Sequence, residues 1–490
     1  MNDRTLAEQL ADFAAGAFSG ELEPWILADV RGRVLDILGI CAAATRLETS
    51  RSAARYVRDQ GGHAQATAVG LEHRVTAAQA AFLNGVLAHS LDFDDIHLPS
   101  VLHPSAGVVP AALAAAEHAG STGRQAVAAI AVGLEITVRL GMAGYDPQTK
   151  NSVFFHHGQH ATSICGAMGG AVAAGLLYGL DRQGLVSALG VAASMAAGII
   201  EANRTGGTVK RLHCGLAARA AVDAAQLVRH GITGPPTVLE GRFGFFQAWL
   251  HGQADAGAVT ENLGRSWELR NIFYKPYPAN HFTHTAIDAG RRLREAAIAP
   301  EDLLSVEIGA PEQDLPTIGQ PIEIKRTPAT GYMAQFSAPY AFVVGLLGGG
   351  GLGAAMSDFT DELAHDPIRR RLMALVDVVP DAECTAIFPH QFPVIVRARL
   401  RDGRTMRIKA LTNRGGPQSP LSFEELKLKF ADNVRESLSA QDAALLGSRT
   451  EQLSELTDVG QLLAPLRRAG ALVRHQPVEQ AGTPRFAETS

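Results

Sequence analysis

Two neighbouring runs, residues 162–180 (TSICGAMGGAVAAGLLYGL) and 184–200 (GLVSALGVAASMAAGII), carry no charged side chain. Each approaches the roughly 20 residues that span a bilayer. Ala and Gly dominate both, however, and their transfer energies are small; Asp181 and Arg182 sit in the short link between them. The runs therefore read as buried helices of a soluble fold rather than membrane spans. The Gly-rich run 341–356 reads the same way. Outward from this centre, apolar residues at three- and four-residue spacing predict helices over 24–43, 75–93, 104–119, 124–140 and 210–230. With 50 glycines and only 6% aromatic residues, these helices are expected to pack closely through small side chains. Length and composition, 490 residues with 46% hydrophobic and 19% charged, fit a sizeable core divided into roughly two to three domains.

The character changes near Trp267. Short β-prone runs appear at 305–308 and 394–411, mixed with a helical segment at 283–297. Within them VIVRARL (394–400) and TMRIKAL (405–411) flank Arg401-Asp402-Gly403-Arg404, and Asp-Gly between alternating runs favours a hairpin with a tight primed turn. Ser422 and Glu425 form a capping box ahead of the amphipathic run 423–434. The expected organisation is mainly α: an all-helical domain over 1–266, a smaller α/β domain over 267–411, a helical return over 412–475 packing on the first domain, and a mobile, apolar-poor tail over 476–490.

Lys and Arg total 44 against 49 Asp and Glu, a formal charge of −5, so no global basic field exists to hold nucleic acid. Cys41, Cys165, Cys214 and Cys384 lie far apart without a CxxC pair and read as buried thiols of a reducing compartment. Asp3, Glu8 and Asp12 interrupt the start of the chain where a signal peptide needs a basic start and an unbroken apolar run. A cytoplasmic protein is expected.

Several segments hold chemistry-bearing residues. In residues 84–97 (NGVLAHSLDFDDIH), a continuous helix would put His89, Asp92, Phe93 and Ile96 on one face and Asp94 elsewhere. Solvated carboxylates at a helix end, or a magnesium site, are the alternatives. His103 precedes Pro104 and is placed at the N-terminus of the helix 104–119, where the macrodipole lowers an imidazole pKa and attracts anions; a plain cap is the alternative. His160 precedes the small-residue helix in the same way. His156 and His160 at i, i+4 also suggest half of a metal site, although Gly158 lies between them and no carboxylate follows. Thr205-Gly206-Gly207-Thr208-Val209-Lys210-Arg211 opens another helix with two cations in its first turn, which a bound anion would compensate. Solvated side chains are equally open there. Lys275-Pro276-Tyr277-Pro278-Ala279-Asn280-His281 forms a proline-fixed turn, and Phe336-Ser337-Ala338-Pro339-Tyr340 leads into an apolar helix. If the three helix starts bearing His103, His160 and Lys210 converge, the pocket between them favours a carboxylate-bearing substrate.

The order DFDD (92–95), HPS (103–105), H-x-T (160–162), GT-x-K-x-LH-x-G-x-AA (207–218), K-x-YPA (275–279) and FS-x-PY (336–340) resembles the MmgE/PrpD family over roughly residues 5–465. The family includes 2-methylcitrate dehydratase, cis-aconitate decarboxylase and iminodisuccinate epimerase. The resemblance implies a large helical domain with a smaller α/β lid, a homodimer, no metal or iron–sulfur cofactor, and a small di- or tricarboxylate substrate. It further implies a pocket between domain and lid with Asp92, His103, His160, Lys210 and Lys275 in acid/base and carboxylate-binding positions, and Tyr340 matching a tyrosine of the decarboxylase branch. His89, Arg211, Asn280 and His281 are the expected substrate contacts. Within this scheme Asp92 orients one imidazole, and dehydration leads over epimerisation and decarboxylation. Ile96 stands where the decarboxylase branch has threonine, and Asn280 where it has histidine; His281 next door can partly stand in.

Overall fold

The structure, a computed structural model, describes residues 4–202 and 207–471. The expectations for Thr205, Gly206 and the 476–490 tail fall outside the described residues.

Helix Ala161–Leu177 is buried at every position and packs against Pro104–Ala119, Gly123–Met142, Arg182–Met195 and Val209–Arg229. No face of it meets water, which accounts for its lack of charge. Among the described residues one helix, Gly123–Met142, is long and apolar enough to cross a bilayer, and 89% of its apolar window lies inside the protein. Glycines set the spacing. A Cβ on Gly169 would collide with Thr137 Oγ1 and the Gly133 carbonyl. One on Gly85 would fall 2.7 Å from the Cys214 carbonyl, and one on Gly215 2.5 Å from the Phe82 carbonyl. Helix Ala77–His89 thus lies backbone to backbone on Val209–Arg229.

The second charge-free run is helical only to Met195. Gly198 takes φ +138 close to His160 and Ser163, and Ile199 bridges Gln159 instead of continuing the helix. The run 341–356 likewise divides. Helix Ala338–Leu347 stops at Gly348, φ +90, and the Asp358 carboxylate, accepting from the Gly350 and Ala355 amides, organises the loop that follows.

The four-stranded sheet has the order Val376–Pro380, Leu303–Ala310, Val394–Leu400, Thr405–Ala410. The first pair is parallel and the other two antiparallel. Helix His284–Glu295 packs on the last two strands and on Ala338–Leu347. The hairpin forms, with a different turn. Only Gly403 has positive φ (+88); Leu400 accepts from the Gly403 amide and donates to the Arg404 carbonyl, giving a three-residue loop with a glycine bulge rather than a primed two-residue turn. Helix Phe423–Val434 starts at the Ser422–Glu425 capping box and lies on Pro24–Ala44, where Phe430 crosses Gly39.

The glycine contacts give a paired test. Gly169→Ala forces two helices apart and is expected to cost about 1–3 kcal/mol. Gly166→Ala, whose nearest neighbour would be 3.9 Å away, is expected to be neutral or to gain up to about 1 kcal/mol from helix propensity. Urea unfolding of the two variants checks the difference, and equal stabilities contradict the close approach.

Candidate functional site

Helix Ala77–His89 ends at His89, and Ser90 turns its hydroxyl back to the Val86 carbonyl. Asp92 then adopts φ +51, which takes the chain off the helical path. The single helical face expected for His89, Asp92, Phe93 and Ile96 therefore does not exist. It is Asp94 that returns to the histidine: Asp94 Oδ2 lies 2.7 Å from His89 Nδ1 and 3.5 Å from His103 Nδ1. Asp92 turns instead to Lys275, whose Nζ donates to its carboxylate at 3.0 Å and to its carbonyl at 2.8 Å. Asp94, not Asp92, is the carboxylate that orients imidazole. Next along, Asp95 accepts from both the amide and the hydroxyl of Ser105 and from Arg33, tying this loop to the first turn of Pro104–Ala119.

His103 and His160 occupy the N-cap positions of Pro104–Ala119 and Ala161–Leu177, and Lys210 is the second residue of Val209–Arg229. All three line one cavity of about 60 Å³, together with Phe155 and Gln159. Three helix N-termini meet here, so backbone dipoles add to the lysine in favouring an anion. His160 Nδ1 lies 2.9 Å from Nδ1 of His213, one turn beyond Lys210. The His103 amide is held by Thr162 Oγ1 at 3.1 Å.

Burial dominates the electrostatics. It pushes His103 down to about 3 and His213 to about 4, and it holds His160 and the lid residue His281 well below the ordinary imidazole value. Burial would raise Asp94, but His89, His103 and Lys275 outweigh it and bring the carboxyl to about 2. Lys275, Lys210 and His103 likewise overcome the burial of Asp92 and keep it well below the carboxylate range. Lys210 loses from burial and gains more from Asp92, Tyr332 and Asp94, so its pKa is raised. At neutral pH the site combines neutral His103, His160 and His213 with ionised Asp92 and Asp94 and the Lys210 ammonium ion.

On the lid side, Asn280 accepts from the Phe282 amide as a cap. His281 is 2% exposed, neither of its ring nitrogens has a partner, and it stacks on His284 at 4.5 Å. The site's influence on its pKa comes from His284, Lys275 and His103. Arg211 does not line this cavity; it donates to Thr49 Oγ1 at 3.0 Å and lies over the Tyr332 ring. Tyr340 is placed elsewhere: its hydroxyl donates to the Asp358 carbonyl at 2.6 Å, and Phe359 and Arg369 cover its ring. With its donor spent inside the smaller domain, Tyr340 is not brought to the histidines by any of these contacts.

Sequence reasoning gave no role to Asp94 or His213. The signal for His213 was its i+3 spacing from Lys210; Asp94 needed the positive φ at Asp92, which sequence does not announce. His89, Asp94 and His103 are also, among the described residues, the one group whose potential ligand atoms all lie within 4.8 Å. Two of these atoms, His89 Nδ1 and Asp94 Oδ2, are already hydrogen-bonded to each other, which suits a proton-sharing pair better than a vacant metal cage. The suggested His156/His160 pair does not form, because His156 is exposed against His157 while His160 faces His213.

The buried histidines fix an acid response. His97 is also pushed down, to about 3, by burial. The unfolded chain binds protons at these groups below about pH 6.5 while the native chain does not until about pH 3–4. Native protein therefore binds fewer protons in this window, and stability falls as pH is lowered through it. Melting temperature is expected to drop steadily between about pH 6.5 and 4, earlier than carboxylate titration alone allows. A flat profile down to about pH 5 contradicts burial of neutral imidazoles.

Comparison with known proteins places this geometry. The MmgE/PrpD N-terminal domain matches residues 8–256, and the MmgE/PrpD C-terminal domain matches residues 277–452. The chain is similar to cis-aconitate decarboxylase of Homo sapiens, 28% identical over 475 residues and 95% of each chain. It is 27% identical to the Mus musculus cis-aconitate decarboxylase over 480 residues, 95% of this chain and 94% of the relative. A cis-aconitate decarboxylase-like protein of Aspergillus oryzae is 30% identical over 292 residues, 56% of this chain and 59% of the relative. With both domains matched in order, and the helical body and α/β domain built as the motifs imply, the chain belongs to the MmgE/PrpD family.

Proposed function

We propose that the protein is a lyase that acts on a small di- or tricarboxylate by proton transfer at the carbon next to a carboxylate, using side chains without a cofactor. The observation that carries this reading is the meeting of two neutral N-cap histidines with Lys210 in one cavity. Carbon acids of this kind are weak, so the site must hold the negative charge that builds on carboxylate oxygens while a base takes the proton. Lys210 and the three helix N-termini suit the first task. His103 suits the second: it is neutral, and the imidazolium it becomes gains the Asp94 carboxylate 3.5 Å away.

Dehydration is the leading reaction. His103 removes the Cα proton, the electron pair forms the new C=C bond as the C–O bond breaks, and the hydroxyl leaves as water with the proton that the His103 imidazolium carries, given directly or relayed through a second imidazole that gains one proton as it passes one on. His160, linked to His213, is placed to share that role. Decarboxylation of the cis-aconitate type is the second reading, favoured by relatives of that name matching over 95% of the chain. There the C–C bond to CO2 breaks and its electron pair is protonated at carbon. Against it stands Asn280, an amide occupied as a helix cap, which cannot exchange a proton. A homodimer, on family resemblance, and a cytoplasmic location, on four buried free thiols suited to a reducing compartment, complete the proposal.

Proton NMR in D2O with hydroxylated and unsaturated di- and tricarboxylates separates the reactions. New vinyl signals with loss of a hydroxylated substrate establish dehydration; CO2 release from cis-aconitate establishes decarboxylation; Cα deuteration without either indicates epimerisation. On the active substrate, His103→Asn is expected to lower kcat by about 10²–10⁴-fold. Lys210→Met is expected mainly to raise KM. With His103 pushed down to about 3, kcat/KM should show no protonation of the base near pH 6.5; an acid limb centred there contradicts a buried neutral His103.

A further inference from the structure

Asp92 and Asp94, which face opposite sides of the site, bracket Phe93. That residue is gripped from 336 positions away by Lys429 on the returning helix Phe423–Val434. Lys429 Nζ donates to the Phe93 carbonyl at 3.0 Å, stands 3.8 Å from the centroid of its ring, and pairs with Asp36 Oδ1 at 2.7 Å. The lysine and Asp36 are each 3% exposed. Burial pushes Asp36 up to about 6 even with the ammonium alongside. A hydrophobic pair would fill the same space without that desolvation cost, but would offer the Phe93 carbonyl no donor.

We propose that Lys429 is a positioning residue of the site: by clamping the backbone and ring of Phe93 from the C-terminal helix, it sets the directions in which Asp92 meets Lys275 and Asp94 meets His89 and His103. The helical return is then a working part of the site as well as a surface that packs on the first domain. Lys275 grips the Asp92 carbonyl from the lid and Arg33 grips Asp95 from Pro24–Ala44. Lys429 adds a charged hold on Phe93, the residue between the two carboxylates, whose ring is otherwise packed in the apolar core.

The inference rests on the proposed lyase site for its catalytic consequence and not for its geometric one, so two readouts are used. Lys429→Met alone strands the Asp36 carboxyl, and the decisive variant is the double Asp36→Asn/Lys429→Met, which removes both charges. In the substrate-free enzyme, the downfield Nδ1 proton of His89, identified by its disappearance in Asp94→Asn, is expected to vanish or broaden in the double variant while the melt remains cooperative. On the active substrate, kcat is expected to fall about 10–100-fold through misplacement of the carboxylates, with KM within about threefold, and Lys429→Arg is expected to recover most of it. Retention of the His89 signal, or of wild-type kcat, in the folded double variant overturns the proposal. Should no substrate turn over, the His89 signal alone decides it.

Discussion

Backbone-to-backbone helix contact is the constraint on which the rest of the structure depends. Gly85 and Gly215 let Ala77–His89 lie directly on Val209–Arg229, and Gly169 does the same for Ala161–Leu177 against Gly123–Met142. Interiors packed this tightly transmit small displacements instead of absorbing them. A separation fixed by glycine fixes where helices end as well as where they cross. Here the end of one helix, bearing His89, meets the starts of three others, bearing His103, His160 and Lys210. The site sits where the packed helices run out, and its precision is inherited from their contact.

That placement determines the chemistry available. A histidine at a buried helix start is penalised for carrying charge by desolvation and by the dipole together, so it remains neutral and able to accept a proton. An ionised carboxylate in the same surroundings survives only with cationic or proton-donating partners, and both acids have them: Asp92 has Lys275, and Asp94 has the histidines. The carboxylates are thereby given different tasks. Asp92 pairs with Lys275, whereas Asp94 stands beside two imidazoles, His89 and His103.

Much of this was legible in the sequence for identifiable reasons. Pro104 after His103 and the capping box at Ser422 are local signals, and both helices begin where those signals put them. The charge-free run 162–180 foretold the buried centre, whereas the run 184–200 ends exposed, with Ile199 at 66%. Local signals misled where the backbone left its expected path. Periodicity carried through Ser90 as if the helix continued, so the wrong aspartate was assigned to the imidazole; Asp92 takes a positive φ, which Asp tolerates better than most residues, and Lys275 binds both its carbonyl and its carboxylate there. The same limit applies to Tyr340, where motif spacing says nothing about the Asp358 carbonyl that takes its hydroxyl. His213 was visible one turn past Lys210, but its meaning depended on His160 arriving from a helix fifty residues earlier in the chain.

On the proposed lyase reading, His103, Lys210 and Asp94 would serve any reaction that begins with charge on a carbon beside a carboxylate, and discrimination among such reactions would fall to the 275–284 turn. There the polar groups of the 275–284 turn are divided by burial. Asn280 spends its carbonyl oxygen on the Phe282 amide and contributes shape. His281, one residue on, is buried with both nitrogens unpartnered and a second imidazole stacked behind it. A buried unsatisfied imidazole is costly unless something enters to satisfy it. Burial, with His284, Lys275 and His103, disfavours a proton on it, so on the proposed reading a substrate polar group would be what satisfies it. Asn280 thus serves as the cap and His281, one residue on, as the buried imidazole of one short turn, so the two polar side chains have separate structural tasks although they are adjacent in sequence.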